Sequence, residues 1–393
     1  MAALKRRVGL GLLTAYGVGV MVGAGIYVLV GLVAGEAGSW APVSFLLAGL
    51  IAAPTALSYS EFATRIPEAA GEAAYAEAGF QSRRLAVLVG LAIVAVGIIS
   101  AAAVLRGGVG YLISIIPINT QIAIFALGLL LTLVAIWGVM ESLSLAAVFT
   151  AIELIGLALV VWVGFSGPET PPSEVSNVFV WGGVGAGAVL AFFAFIGFED
   201  IVNMAEEARD PTRTLPRAIL YSLVITTLIY VLVAAAAVRV VPLDLLRGSE
   251  QPLALVWTTV RGGDAAFLAA IAVFAALNGV LAQIVMASRV LYGLGRRATW
   301  LSAFESVSAS RQTPIRATVC VGVGVIALSL SVPIQPLAEA TSSILLAVFV
   351  LVNAALILEK NSNPHAEFRV PMLVPVSGLV LAMGALVMNL LGG

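Results

Sequence analysis

Apolar runs of about twenty residues return again and again along this chain, and no other feature constrains its fold as strongly. A helix needs about 20 mostly apolar residues to cross the hydrocarbon of a bilayer. Such runs stand near residues 8–35, 41–63, 85–115, 121–140, 143–166, 187–207, 217–240, 265–293, 315–332, 336–358 and 370–391. Hydrophobic residues fill 61% of the 393 positions and charged ones 10%, where a soluble domain carries roughly 25% charged. A water-soluble globule cannot cover so much apolar surface. The chain reads as an all-α integral membrane protein of about 11 transmembrane helices, a single transmembrane domain over residues 1–393.

Several function classes drop out on composition. A net charge of −1 with no basic tail gives no reason to expect nucleic acid. The one cysteine, Cys320, cannot form an intrachain disulfide, and the one histidine, His365, lies in a polar loop. No P-loop, zinc motif or nucleophile–base constellation falls at membrane depth, so no enzyme activity, ATP-driven step, metal or cofactor is expected. "KRR" before the first run has only the outline of a secretory leader, because the run continues to about residue 34 and an h-region has roughly 7–15 residues. The expected partners are the lipid bilayer and a small molecule.

Positive residues orient the spans. Sixteen of them, from Lys5, Arg6 and Arg7 through Arg289, Arg296 and Arg297 to Lys360 and Arg369, gather at one set of ends. Four, Arg106, Arg239, Arg247 and Arg261, fall on or near the other. The expectation is a multi-pass protein of the cytoplasmic membrane, N-terminus inside and C-terminus outside. The loop "SGPETPPSEVSNVFVWGG" is then external.

Two spans carry glycine clusters. The first contains "GVGVMVGAGIYVLVG", and the sixth contains "GVGAGAVLAFFAFIGFEDIVNMAEE" with Gly197 ahead of Glu199 and Asp200. Glycine weakens a helix interior by about 1 kcal/mol relative to alanine, and open backbone at membrane depth is tolerated only where it lines a cavity or is buried in protein. The alternative is that the glycines permit close packing of helices, the stronger reading for Gly17, Gly19 and Gly31. For Gly23, Gly25 and Gly197 a break is favoured. Spans one and six are the first helices of two sets of five, and they run in opposite directions. Interrupted helices at matching places in two halves point to an inverted-repeat transporter with a midplane site. The repeats would cover about 8–166 and 187–358, with an extra helix at about 370–391.

These stretches resemble the amino acid–polyamine–organocation permeases. "MVGAGIYVLVG" is similar to their first-helix signature, and "FFAFIGFEDIVNMAEEARDPTRTLPRAI" to that of the sixth. "ALSYSEFATRIPEAAGEAAY" resembles their second helix and its loop, and "MASRVLYGLGRR" the end of the eighth. The resemblance implies a LeuT-type fold of five plus five helices, usually with twelve in all. It also implies secondary transport of amino acids by alternating access, as proton symport or exchange. An amine or polyamine carrier and a non-transporting substrate sensor are the alternatives.

The broken backbone suggests how a substrate would be held. An outer half-helix starting at Gly23, Ala24, Gly25 and Ile26 offers free N–H groups and the positive end of a dipole to a carboxylate. Carbonyls of Phe193, Ala194, Phe195 and Ile196, ahead of Gly197, would accept from an ammonium. Phe195 is a candidate gate, with a lipid-facing or core phenylalanine the equal alternative. Glu199 and Asp200 would open the inner half-helix, where acidic side chains cap free N–H groups, with direct contact to a cationic substrate or ion the second reading. Glu206 and Glu207 stand at its far end, where pairing with an inner arginine such as Arg65 or Arg289 would complete a latch, a plain interfacial anchor being the equal alternative. Arg106 either gates the outer vestibule or snorkels to the surface. Asn278 and Gln283 are read as interhelical hydrogen-bonding residues.

Glu153 lies deep in "FTAIELIGLALVVWVGF", where a carboxylate costs about 2.5–3.5 kcal/mol on insertion scales. Many proton-coupled or exchanging members of the resembled family carry a lysine there, so its role does not transfer unchanged. Proton coupling is the leading reading, and a structural hydrogen bond to helix 1 or 8 the alternative. Sodium remains possible, although the eighth span has no hydroxyl before Ser288.

Overall fold

The computed structural model describes residues 6–68, 71–169, 180–249 and 251–392. The middle of the long loop, residues 170–179, lies outside the described residues.

The chain folds as α1 (Leu10–Ala37), α2 (Ala41–Arg65), α3 (Gly71–Phe80), α4 (Arg83–Ile115), α5 (Thr120–Trp137), α6 (Val139–Ser166) and α7 (Trp181–Phe192). There follow α8 (Pro211–Val240), α9 (Leu243–Arg247), α10 (Pro252–Arg261), α11 (Ala266–Arg297), α12 (Ile315–Ser331), α13 (Ile334–Ser362) and α14 (Leu373–Gly392). Among the described residues nine stretches are long and apolar enough to cross a bilayer, and two shorter apolar helices, Ile315–Ser331 and Leu373–Met388, join them. The long helices start where local chemistry allows: Ser82 accepts from Leu85 N ahead of α4, and Asn119 accepts from Gln121 N and Ile122 N ahead of α5. Lipid-directed faces are apolar, with Leu88, Ile122, Trp137 and Val323 each more than half exposed.

The segment just before α1 pairs with the segment just after the sixth span, in a short parallel bridge of Val8 with Ala208. Arg7 N and Val8 N donate to Glu207 O at 2.9 and 3.0 Å, and Arg209 N returns to Val8 O at 2.8 Å. The start of α1 therefore sits beside the end of the sixth span. α1 packs on α6, α7, α8 and α11 and is the axis of the fold, while α4 lies along α11 and α2 along α8.

The short helices α3, α9 and α10 are not legible as apolar runs, and α7 begins at Trp181 rather than near 187. Its opening "WGGVGAGA" is too poor in large apolar side chains to register as part of a span.

Candidate functional site

Both interrupted helices open where the glycines fall. α1 leaves helical geometry at Gly23. α7 stops at Phe192, continues as a tight turn over Phe193–Phe195, becomes extended at Ile196, and resumes as a 3-10 segment over Glu199–Met204. Gly197 turns the corner with φ +127°, in the region that favours glycine, and a Cβ there would lie 2.6 Å from Val20 Cγ1. Gly197 is needed twice over, for its dihedral and for its closeness to α1.

The two breaks face one cavity. Val20, Met21, Gly23, Gly25, Phe193, Ala194 and Ile196 line it from one side, and Ser100, Val104, Gly279 and Gln283 from the other. Its volume is about 40 Å³, room for a water but not for an amino acid. Three of the residues expected at the site stand off its wall. Ile26 is fully buried, Gly197 packs on Val20 and Met21, and Phe195 turns its ring edge-on to Tyr230 at 5.1 Å. The side chain of Ala24 lies outside the described residues.

Sequence reasoning passed over Tyr230. Its hydroxyl lies 2.5 Å from Met21 O and 2.9 Å from Ala194 O, one carbonyl at each break. A phenol has one hydrogen, so it donates to one carbonyl at a time and ties both open ends to α8. A tyrosine amid "TTLIYVLVA" was the available signal, since a buried phenol seeks a partner.

Glu153 is fully buried. Its Oε1 accepts from Asn278 Nδ2 at 2.9 Å, and its Oε2 has no partner. Thr150 Oγ1 accepts from the same Asn278 amide at 3.0 Å and donates towards Ala146 O and Ala15 O. A Cβ at Gly19 would come within 2.0 Å of Thr150 Oγ1 and 2.4 Å of Asn278 Nδ2. The bare backbone of α1 thus forms one wall of the Glu153 pocket. No described lysine or arginine pairs with Glu153. Gly17 and Gly31 also serve packing: a Cβ would meet Ser222 Oγ at 2.5 Å and Leu246 O at 2.6 Å.

In the inner half of the sixth span, Glu199 Oε2 accepts from Gly197 N at 2.9 Å and Asp200 accepts from Gln283 Nε2. At its end Glu207 pairs with Arg289 at 3.2 Å, both about 1% exposed, and Glu206 pairs with Arg296. Arg297 reaches Glu68 and Glu77 from the loop and α3. Arg65 is engaged elsewhere. It pairs with the buried Glu61, which also binds Lys360, and donates to Asn363 O and His365 O. Arg106 is half-buried and donates to Ser329 O at 2.8 Å, tying α4 to the end of α12.

Similarity to known proteins fits this geometry. The family model described as amino acid permease matches residues 10–392. The branched-chain amino acid permease BcaP of Bacillus subtilis is 27% identical over 403 residues, covering 96% of this chain and 86% of that protein. The vacuolar cationic amino acid transporter 4 of Arabidopsis thaliana is 28% identical over 84% of this chain, which spans 59% of that longer relative. Among solved structures, a substrate-bound outward-open Na+-coupled sialic acid symporter superposes with a TM-score of 0.56 at 15% identity, covering 96% of this chain and 90% of that one. At that identity the likeness speaks for the fold alone. By its near-complete match and its broken first and sixth helices, the chain belongs to the amino acid permease family, a group of multi-pass membrane transport proteins.

Proposed function

We propose that this protein carries α-amino acids across the cell membrane by alternating access, coupled to protons through Glu153. The observation that carries the reading is the convergence of two broken helices on one cavity, with Tyr230 touching both ends. In this reading the half of α1 beyond Gly23 presents N–H groups from Gly25 and Ile26 to the substrate carboxylate. The carbonyl end of α7, around Phe193 and Ile196, receives the ammonium. Phe195 acts as a gate behind Ala194, moving with the Tyr230 ring.

The cavity is too small for its substrate, so binding accompanies opening. The Glu207–Arg289, Glu206–Arg296 and Arg297–Glu68–Glu77 contacts form the gate at the arginine-rich end, assigned to the cytoplasm by charge. Arg106, bound to Ser329, holds α4 to α12 rather than guarding the cavity. Glu153 suits a proton because its second oxygen is unsatisfied and, among the described residues, no lysine or arginine pairs with it. A sodium site is less well supported, since α11 offers no hydroxyl before Ser288.

A cationic substrate without a carboxylate is the second reading. It is favoured by three buried acids, Glu153, Glu199 and Asp200, that lack an ion pair among the described residues. Uptake of a labelled amino acid mixture into proteoliposomes, challenged with the matching carboxylate-free amines, separates the two. Amino acid uptake that the amines leave untouched supports the proposal. Amines that compete as well as the parent amino acids would replace it with an amine carrier.

A further inference from the structure

A fully buried carboxyl, Glu72, stands in the first turn of α3, away from the cavity between the two breaks. Its Oε1 accepts from Asn203 Nδ2 at 3.3 Å, and its Oε2 is buried without a partner. No lysine or arginine among the described residues pairs with it. Tyr59 of α2 faces the same space, and its hydroxyl is also buried without a partner. A buried carboxyl with no cation beside it favours its neutral form. The site is built to hold a proton.

α3 is wedged between the sixth span and α11 at the arginine-rich end of the bundle. Asn203, in the inner half of the sixth span, accepts from Gly71 N at 3.0 Å through its Oδ1 while its Nδ2 donates to Glu72, so one asparagine holds the start of the helix. A Cβ at Gly71 would lie 2.8 Å from Val202 Cγ2, which puts the backbone of α3 directly on that span. From the other side, Arg297 of α11 pairs with Glu77 of α3 and with Glu68 ahead of it. This end opens only if α3 comes away.

The groups around Glu72 are acidic or neutral. Glu199 and Asp200 face it from the sixth span, Tyr59 from α2 and Tyr75 from α3 itself, with Glu68 bearing on Tyr75. α4 and α13 also pack on α3, and among the described residues neither adds a charge to Glu72. Losing the proton would set a carboxylate beside Glu199 and Asp200 with nothing to offset it.

We propose that Glu72 is a second proton site, on the cytoplasmic side by the charge assignment, and that loss of its proton releases α3 from the sixth span and opens that end. The inference rests on alternating access, and on neither the choice of substrate nor the role of Glu153. Burial lifts the Glu72 carboxyl from 4.5 to about 8 in the closed arrangement, and release into water returns it to the ordinary range. The closed arrangement therefore holds at low pH and gives way as pH rises towards about 8. Asn203 is a positioning residue that acts through Glu72.

Amide hydrogen exchange of the full chain tests this, followed over residues 71–80 and 199–204 from about pH 6 to 9 and corrected for the intrinsic rise of exchange with pH. Protection of both segments should fall with pH in wild type, by at most about tenfold per pH unit, the limit for one proton. It should stay flat in Glu72→Gln. Flat protection in wild type overturns the inference, and so does a fall equally steep in Glu72→Gln, which would assign the proton to another group. Glu72→Ala serves if Glu72→Gln does not fold. Amino acid exchange in proteoliposomes, at equal pH on both sides, separates this from the transport reading. Exchange absent at every pH, with the protection profile as expected, would overturn amino acid transport and leave the Glu72 switch standing.

Discussion

Asn278 donates to the Glu153 carboxyl across the α6–α11 interface at 2.9 Å, and it is the one side chain among the described residues that reaches that carboxyl. The same amide reaches Thr150 Oγ1 at 3.0 Å, so two polar groups at membrane depth share a single asparagine. Leaving a buried acceptor unsatisfied costs about 1–3 kcal/mol, more when it is charged. Asn278→Leu should therefore lower the melting temperature in detergent, and Glu153→Gln combined with it should recover part of the loss. Independent, additive losses would contradict the coupling.

Gly197 should tolerate no side chain. Gly197→Ala places a Cβ 2.6 Å from Val20 Cγ1 at a φ of +127°, and strain of this kind costs on the order of 1–3 kcal/mol. Uptake should fall to background with a lower melting temperature. Gly185→Ala, where a Cβ meets nothing within 4 Å, should be neutral or slightly stabilising.

Tyr230→Phe keeps the ring against Phe195 and Phe45, at 5.1 and 5.7 Å, and removes only the hydroxyl. Met21 O and Ala194 O then lose their shared donor. The expected cost is about 1–3 kcal/mol of stability and a several-fold loss of uptake rate. A variant with wild-type uptake would show that the bridge between the breaks is dispensable.

Glu72, on the short helix α3, gives a pH dependence. Burial lifts its carboxyl from 4.5 to about 8, while its backbone hydrogen bond and Asn203 pull the other way. Tyr59, Tyr75 and Glu199 face the same space, and among the described residues no lysine or arginine pairs with Glu72. The folded protein holds this proton more tightly than the unfolded chain. Its contribution is intact below pH 4.5 and is lost as pH rises towards about 8. Melting temperature followed from about pH 5 to 9 should fall less for Glu72→Gln than for wild type. Parallel curves would contradict it.

The helix breaks were legible because glycine clusters at membrane depth have few physical uses, and Gly23 and Gly197 are where the backbone departs from helix. Gly19 was legible only as a packing glycine, and what it packs against, Thr150 and Asn278, became visible in the fold. Asn278 and Gln283 announced themselves as polar residues in an apolar span, but their partners lie 125 and 83 positions away. The acidic pair at the end of the sixth span invited arginine partners. Arg289 was among those anticipated for it, whereas Arg296 took Glu206 and Arg65 was held by Glu61. Spacing along a chain cannot rank arginines that sit on one end of the bundle. Tyr230 and α3 escaped notice for opposite reasons, one hidden inside an apolar run and the other too short to form one.

The most direct test of the account is uptake of labelled amino acids into sodium-free proteoliposomes, with and without an inward proton gradient, for wild type and Glu153→Gln. The account predicts gradient-driven accumulation in wild type that disappears in the variant while exchange without a gradient survives. Accumulation that persists in Glu153→Gln would contradict it and return Glu153 to a structural role beside Asn278.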